Sequence, residues 1–138
     1  MDQFAYIDSS VVLRKLLPQI GAIPDLTQWR LFSSQLVDAE VRRTLLRYHA
    51  ERVFTDETLA RRLKEWTLFR NSIDLIPISE GIMQRAAEPF PTLIKTLDAI
   101  HLATAIGWTS QTREPVTMLT HDEKLGIAAS ACGFPVVP

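Results

Sequence analysis

Four acidic residues stand at the ends of apolar segments, and their side chains are the best candidates for chemistry. They are Asp8 after the run FAYI, Glu40 early in a helical pattern, Asp98 in KTLDAIHLATAI and Asp122 after VTMLT. Carboxylates that gather in space repel one another unless a positive charge lies among them. Mg²⁺ and Mn²⁺ are hard cations that prefer oxygen ligands. The four acids therefore indicate a divalent metal site of a hydrolase that acts on a phosphodiester.

Each acid by itself has a simpler explanation. An Asp directly after a strand is most often a helix cap, and Asp98 also suits the positive end of a helix dipole. His101 lies three residues after Asp98 but has no second His or Cys at zinc-ligand spacing, so we expect it to support the structure or the acids. The sequence has neither a G-x-S-x-G elbow nor a Gly-rich phosphate loop. Only the combination of the four acids favours a metal site.

Short apolar runs alternate with helical patterns along the chain, which is typical of a parallel sheet with right-handed crossovers. We predict an α/β fold with three layers, α/β/α, around a central five-stranded, mainly parallel sheet, in a single domain over residues 1–138. The predicted strands are Phe4–Ile7, Leu31–Ser33, Ile73–Ile78, Val116–Leu119 and Phe134–Val137. Pro77 cannot donate a ladder hydrogen bond, so the third strand is expected near an edge of the sheet.

Helices are predicted between these strands, with polar residues at their starts. Gly107 is expected to end one helix, and Gly133 to follow another. A connecting loop is predicted over 19–28. The helices run from Ser9 or Ser10 to Leu17 before Pro18, from Gln35 (capped by Ser33 or Ser34) to Ala50, from Thr55 to Phe69, from the cap Ser79 to Ala87, from the cap Thr96 to about Gly107, and from Asp122 to Cys132.

The predicted sheet can bring the four acids together at one of its edges. Ligands of open parallel sheets bind outside the carboxyl ends of the strands, where the strand order switches. If the strands before Asp8 and Asp122 are neighbours, their carboxylates meet there. Glu40 and Asp98 then enter the same rim from early turns of their helices.

Composition limits the remaining possibilities. The 138 residues carry a net charge of -1, so no global charge draws nucleic acid to the protein. One cysteine, Cys132, excludes an intrachain disulfide. The start MDQF has no basic segment of a secretory signal, and no run of 18 apolar residues occurs. We therefore expect a cytoplasmic protein without membrane contact.

The chain also resembles a known family. The segments AYIDSSVVLRKLL, SSQLVDAEVRRTLLR, KTLDAIHLATAI and VTMLTHDEKLGIAASACGFPVV are similar to those of PIN-domain proteins, and most closely to the VapC-like toxins of bacterial toxin–antitoxin pairs. The order and context of the four acids carry the likeness, and the string DAIHLATA is its strongest part. The likeness spans nearly the whole chain and implies a PIN-like fold.

The resemblance implies an endoribonuclease that depends on Mg²⁺ or Mn²⁺. Asp8, Glu40, Asp98 and Asp122 then match the metal-binding acids of the family, while Ser9 and Thr120 match hydroxyl positions that support them. The implied partners are an RNA substrate, a cognate antitoxin protein and a second copy in a homodimer. Basic residues that could contact phosphates, or simply face solvent, are Arg14, Lys15, Arg42, Arg43 and Arg47.

Two alternatives remain open, as does the choice between one and two metal ions. The first alternative is a PIN-fold module that binds RNA or protein without catalysis. The second is a metal-dependent phosphatase. Ser10 counts against one of the haloacid-dehalogenase-like type, which needs a second Asp two residues after the first.

Overall fold

A five-stranded parallel sheet forms the centre of the molecule in the computed structural model, which describes residues 3–17 and 23–138. Its strands lie in the order β3–β2–β1–β4–β5, with every neighbouring pair parallel. Strand β3 is at an edge, as predicted from Pro77. The strands are β1 (Phe4–Ile7), β2 (Arg30–Ser34), β3 (Ile73–Ile76), β4 (Val116–Leu119) and β5 (Val136–Val137).

Among the described residues, six α-helices and one 3₁₀ turn lie between or beside these strands. The 3₁₀ turn spans Leu26–Gln28. The α-helices are α1 (Ser9–Leu16), α2 (Leu36–Ala50), α3 (Asp56–Arg70), α4 (Glu80–Ala86), α5 (Thr96–Thr112) and α6 (Glu123–Ala131). No helix among the residues described is both long enough and apolar enough to span a lipid bilayer.

Two hydrophobic cores lie on opposite faces of the sheet, because successive side chains of a strand point to opposite sides. On β1, Ala5 and Ile7 belong to the core that packs against α1, α2 and α3. Tyr6, between them, belongs to the core that packs against α5 and α6. The predicted three-layer α/β/α fold is therefore confirmed.

Polar side chains cap the helices largely as the sequence predicts. Thr55 accepts a hydrogen bond from the Thr58 backbone N–H, and Ser79 accepts one from that of Ile82. Ser34 Oγ accepts a hydrogen bond from the Leu36 N–H at 3.1 Å, although Gln35 occupies the cap position of α2. Gly133 has a φ of 96°, which fits its predicted place after α6.

Two predicted caps are wrong. Helix α1 is capped by Asp8, whose carboxylate accepts from the N–H groups that follow it, so Ser9 and Ser10 lie inside the helix. Helix α5 begins at Thr96 after the cap residue Lys95, which makes no side-chain cap hydrogen bond. Thr96 therefore does not cap α5.

Helix α5 also runs past Gly107, where the sequence suggested its end. It continues to Thr112 and stops at Arg113, which has a left-handed φ of 60°. Ile106 and Trp108 flank the glycine and pack against the core of α5 and α6. One glycine inside a helix lowers helix stability by only about 1 kcal/mol relative to alanine. The packing of its neighbours therefore outweighs this cost, and the helix continues past Gly107.

Smaller differences concern element ends. Strand β3 stops at Ile76, before Pro77, and β5 begins at Val136 rather than at Phe134. The other predicted helix and strand ends lie within about two residues of those observed. The predicted stop at Pro18 and residues 19–22 of the predicted loop lie outside the described residues.

Candidate active site

Asp8 lies at the centre of the carboxyl edge of the sheet, directly after β1. Its side chain is buried, with 4% relative exposure. Oδ1 accepts hydrogen bonds from the Ser10 N–H at 3.1 Å, the Ser10 hydroxyl at 2.6 Å and the Val11 N–H at 3.3 Å. Oδ2 accepts one from the Thr120 hydroxyl at 2.6 Å. Burial raises the pKa of Asp8 above its ordinary value, although the hydrogen bonds from Ser10 and Thr120 oppose this.

Two hydroxyl groups join the end of β1 to the end of β4. The Thr120 hydroxyl donates to Asp8 and accepts from the Asp122 N–H at 3.0 Å. The Ser10 hydroxyl donates to Asp8 and accepts from the His121 N–H at 2.9 Å. Strands β1 and β4 are neighbours, so the residues after them meet as the sequence predicted. The serine that contacts Asp8 is Ser10, not Ser9.

Asp122 occupies the position before α6 and caps that helix. Its Oδ1 accepts a hydrogen bond from the Leu125 N–H at 3.0 Å. Like Asp8, it therefore combines a capping role with a place at the rim of the sheet. The simpler explanation and the functional one do not exclude each other here.

Asp98 lies in the first turn of α5, and burial and the charges of the other three acids raise its pKa. Its pKa is raised to about 6, first by burial and next by the charge of Asp122. His101 opposes the shift, and Asp8 and Glu40 add smaller increases. Asp98 thus lies within electrostatic reach of three carboxylates from three other segments, and of His101. The repulsion between Asp98 and these carboxylates favours a bound cation.

Glu40 reaches the rim from the second turn of α2 and contacts the imidazole of His101. The distance from Glu40 Oε1 to His101 Nε2 is 2.5 Å. The other ring nitrogen, Nδ1, lies 2.5 Å from the Tyr6 hydroxyl oxygen, which also accepts from the Ser34 N–H at 3.1 Å. His101 and Tyr6 are buried. The partner of His101 is therefore Glu40 on α2, not Asp98 on its own helix.

The donors have the right chemistry for Mg²⁺ or Mn²⁺, since all are carboxylate oxygens. Within residues 3–17 and 23–138, however, no group of three or more His, Cys, Asp or Glu side chains is arranged to hold a metal ion. The acids converge on one rim without forming a finished coordination shell.

Sequence reasoning missed two side chains of this region, Ser10 and Tyr6, and left the partner of His101 open. Ser10 follows Asp8 by two residues, a spacing typical of a hydroxyl that bonds a capping Asp, so a local signal existed. Tyr6 lies 95 residues from His101, and Glu40 lies 61 residues from it. No local pattern reveals such contacts.

The basic residues differ in their surroundings. Arg42 pairs with Asp38 at 2.9 Å, and Lys15 lies over the Phe69 ring. Arg14 lines a groove together with Thr120, His121 and Asp122. Of these three cations, Arg14 is the one beside the acids.

Comparisons with known proteins point to one family. A model of the PIN domain family matches residues 5–128 of the chain. No curated protein matches it. Among solved structures, a chain described as "Toxin-antitoxin complex from Klebsiella pneumoniae" is similar, with a TM-score of 0.61 and 19% sequence identity over 97% of this chain and 96% of that chain. At this identity the structural likeness concerns the fold.

Proposed function

This chain belongs to the PIN-domain family, and on that premise we propose that it is an endoribonuclease dependent on Mg²⁺ or Mn²⁺. PIN domains are generally nucleases. The observation that supports the proposal is the raised pKa of Asp98, about 6, which comes first from burial and next from the charge of Asp122, with smaller increases from Asp8 and Glu40. Such repulsion is retained at a site where a cation relieves it.

Asp8 and Asp98 are the proposed direct ligands of the cation. Asp8 Oδ2 has one hydrogen-bond donor, whereas Oδ1 has three, so Oδ2 is the better ligand atom. Burial and neighbouring charges govern Asp98, with no hydrogen bond among the main causes of its pKa shift. Its carboxylate is therefore available.

Asp122 and Glu40 complete the proposed site. Each already uses one oxygen, Asp122 toward the Leu125 N–H and Glu40 toward His101. The second oxygen of Asp122 binds the cation directly or through a water molecule. That of Glu40 either binds it or orients the attacking water. Thr120 supports the cluster by its hydrogen bonds to Asp8 and Asp122, and Ser10 does so in the place that the resemblance gave to Ser9.

The chemistry proposed is hydrolysis of a phosphodiester. A bound Mg²⁺ or Mn²⁺ supplies a hydroxide near neutral pH and neutralises charge on the scissile phosphate. The carboxylates hold the reacting groups in position, which lowers the entropic part of the barrier. Arg14, at the groove that adjoins Asp122, is suited to bind a neighbouring phosphate through its guanidinium.

An RNA-cleavage assay tests this proposal. The purified protein is incubated with a mixed RNA pool and Mg²⁺ or Mn²⁺, with and without EDTA. Cleavage is expected only with metal, and Asp8→Asn and Asp98→Asn are expected to lower the rate by at least about 100-fold. Asp74→Asn is the matched control, because Asp74 is an exposed carboxylate on the edge strand β3 and should leave the rate unchanged.

Three outcomes would contradict the proposal. Cleavage that persists in EDTA and in both variants excludes a carboxylate metal site. RNA binding without cleavage by the wild-type protein favours the catalytically silent PIN-fold module. Release of inorganic phosphate from small monoesters, with RNA left intact, favours the phosphatase.

We further propose that the chain is the toxin of a toxin–antitoxin pair, a homodimer that acts in the cytoplasm and is inhibited by its antitoxin. The family match and the similar chain from a toxin–antitoxin complex support this assignment. Expression in the native host should arrest growth, and the product of a neighbouring antitoxin gene should relieve the arrest. Normal growth on wild-type expression, with Asp98→Asn as the inactive control, would contradict the toxin assignment but not the nuclease.

A further inference from the structure

We propose that His101 is a positioning residue of the active site: held by Tyr6, it fixes the Glu40 carboxylate at the rim of the sheet. The inference rests on the proposed function, since it takes Glu40 as part of the cation site. It assigns a role to a buried Tyr–His pair that the four acids alone do not require.

The geometry consists of four groups in series. The Ser34 backbone N–H, at the end of β2, donates to the Tyr6 hydroxyl at 3.1 Å. The Tyr6 oxygen lies 2.5 Å from His101 Nδ1, and His101 Nε2 lies 2.5 Å from Glu40 Oε1. The chain of contacts therefore starts at a fixed point of the backbone and ends at a carboxylate of the rim.

These contacts indicate which atom donates and which accepts in each hydrogen bond. The Tyr6 oxygen already accepts from Ser34, and its hydroxyl hydrogen needs an acceptor. Ser33 Oγ acts on Tyr6 as a donor without a well-formed hydrogen bond in the described part of the chain. His101 Nδ1, at 2.5 Å, is the acceptor within hydrogen-bond distance, so the hydroxyl donates to it. We therefore assign the imidazole hydrogen to Nε2, from which it donates to Glu40.

The series joins the two helical layers at the site. Glu40 belongs to α2, on one face of the sheet, and His101 belongs to α5, on the other. Asp98 lies one turn before His101 on α5. One hydrogen bond from His101 therefore fixes Glu40 relative to the helix that carries Asp98. A supporting residue of this kind holds a ligand in the orientation that the cation requires.

Mn²⁺ binding, measured by titration calorimetry at neutral pH, tests the role without using activity. Glutamine places its amide N–H near the position of imidazole Nε2, whereas asparagine places it near Nδ1. His101→Gln should keep the Mn²⁺ affinity within about threefold of the wild type, and His101→Asn should lower it by about 10- to 100-fold. Tyr6→Phe should lower it by about 10-fold, because nothing then fixes the imidazole tautomer. Asp98→Asn serves as the site control and Asp74→Asn as the surface control.

The outcomes separate this inference from the proposed function. If Asp98→Asn loses Mn²⁺ while His101→Asn keeps it, the positioning role is wrong and the metal site stands. Equal losses in His101→Gln and His101→Asn, with both variants folded, also overturn the role, because the N–H position then does not matter. If the wild type does not bind Mn²⁺, the proposed metal site fails and the role of His101 falls with it.

A measurement on the wild-type protein covers the case in which a variant does not fold. Long-range ¹H–¹⁵N correlation spectra distinguish the protonated nitrogen of a histidine ring from the unprotonated one. His101 should show hydrogen on Nε2 and a free Nδ1, and Tyr6→Phe should broaden or shift this pattern. Hydrogen on Nδ1 alone in the wild type would contradict the proposed hydrogen bonds from Tyr6 to His101 and from His101 to Glu40.

Discussion

The buried hydroxyl of Thr120 links two of the four acids of the candidate site. It donates to Asp8 Oδ2 and accepts from the Asp122 N–H. The bond to Asp8 joins the residue after β4 to the residue after β1 across 112 positions of the sequence, whereas the bond from Asp122 is local. A buried carboxylate such as Asp8 is tolerated only where donors of this kind surround it. The hydroxyl thus supports both the fold and the placement of two acids.

Thr120→Val tests this double role. Valine keeps the shape but leaves Asp8 Oδ2 and the Asp122 N–H without this partner. The free energy of unfolding should fall by about 1–3 kcal/mol, as expected for buried polar groups that lose a hydrogen bond. Urea unfolding measures the change. Thr117→Val, at a half-buried position of the same strand, should change the stability by less than about 0.5 kcal/mol. Equal effects of the two substitutions would contradict the role of Thr120.

The sequence predicts which residues are candidates for the site better than it predicts their hydrogen-bond partners. The acids stand out because each lies at an element end, which a local pattern reveals. Their hydrogen-bond partners depend on the sheet order, and that order brings Thr120 to Asp8 across 112 residues. The contact between His101 and Glu40 depends further on which helices face each other over the rim. Local spacing left the partner of His101 open and gave no hint of Tyr6.

Element ends follow local chemistry unless tertiary packing is stronger. Four helices are capped by a side-chain oxygen, that of Asp8, Thr55, Ser79 or Asp122. The sequence predicted the helix starts at Thr55, Ser79 and Asp122. Gly107 is the exception, since the packing of Ile106 and Trp108 outweighs the weak helix preference of glycine. A sequence pattern does not contain the strength of that packing.

Gly107 gives a prediction for α5. A Cβ added there meets no atom within 4 Å, so Gly107→Ala should raise the free energy of unfolding by about 0.5–1 kcal/mol through helix preference alone. Thermal and urea unfolding measure the change. Gly133→Ala is the contrasting variant, because its φ of 96° disfavours any L side chain, and it should destabilise by about 1 kcal/mol or more. Stabilisation by both alanines, or by neither, would contradict this account of where α5 and α6 end.

The strand order determines which segments meet at the carboxyl edge of the sheet. Strand β1 lies between β2 and β4, and the strand order reverses there: β1, β2 and β3 run toward one edge of the sheet, and β4 and β5 toward the other. The segments after β1 and β4 and the first turns of α2 and α5 therefore share one rim. Alternating apolar runs predict the layers, and strand ends predict the rim, but neither gives the distances among carboxylates. With a net charge of -1, the molecule has no general attraction for nucleic acid, so the proposed RNA binding would depend on this rim and on Arg14 beside it.

The repulsion at the rim links the stability of the whole molecule to pH. The pKa of Asp98 rises from 3.8 to about 6 on folding, chiefly through burial and the charge of Asp122, and that of Asp8 shifts in the same direction. A raised carboxyl pKa means that the folded state binds the proton more tightly. Its contribution to stability is full below the unfolded pKa and is lost as the pH rises through the folded value. The metal-free protein should therefore lose stability between about pH 4 and about pH 7.

Melting temperatures measured by circular dichroism from about pH 4.5 to about pH 8 check this slope. In EDTA, the wild type should lose more stability over this range than Asp98→Asn, whose side chain does not titrate. Mg²⁺ should raise the melting temperature of the wild type at the upper end of the range, where the carboxylates are ionised, and much less at the lower end. Asp74→Asn should follow the wild type throughout. Parallel pH profiles for the wild type and Asp98→Asn would mean that Asp98 does not feel its acidic neighbours, and the carboxylate rim would then lack the repulsion that a bound cation relieves.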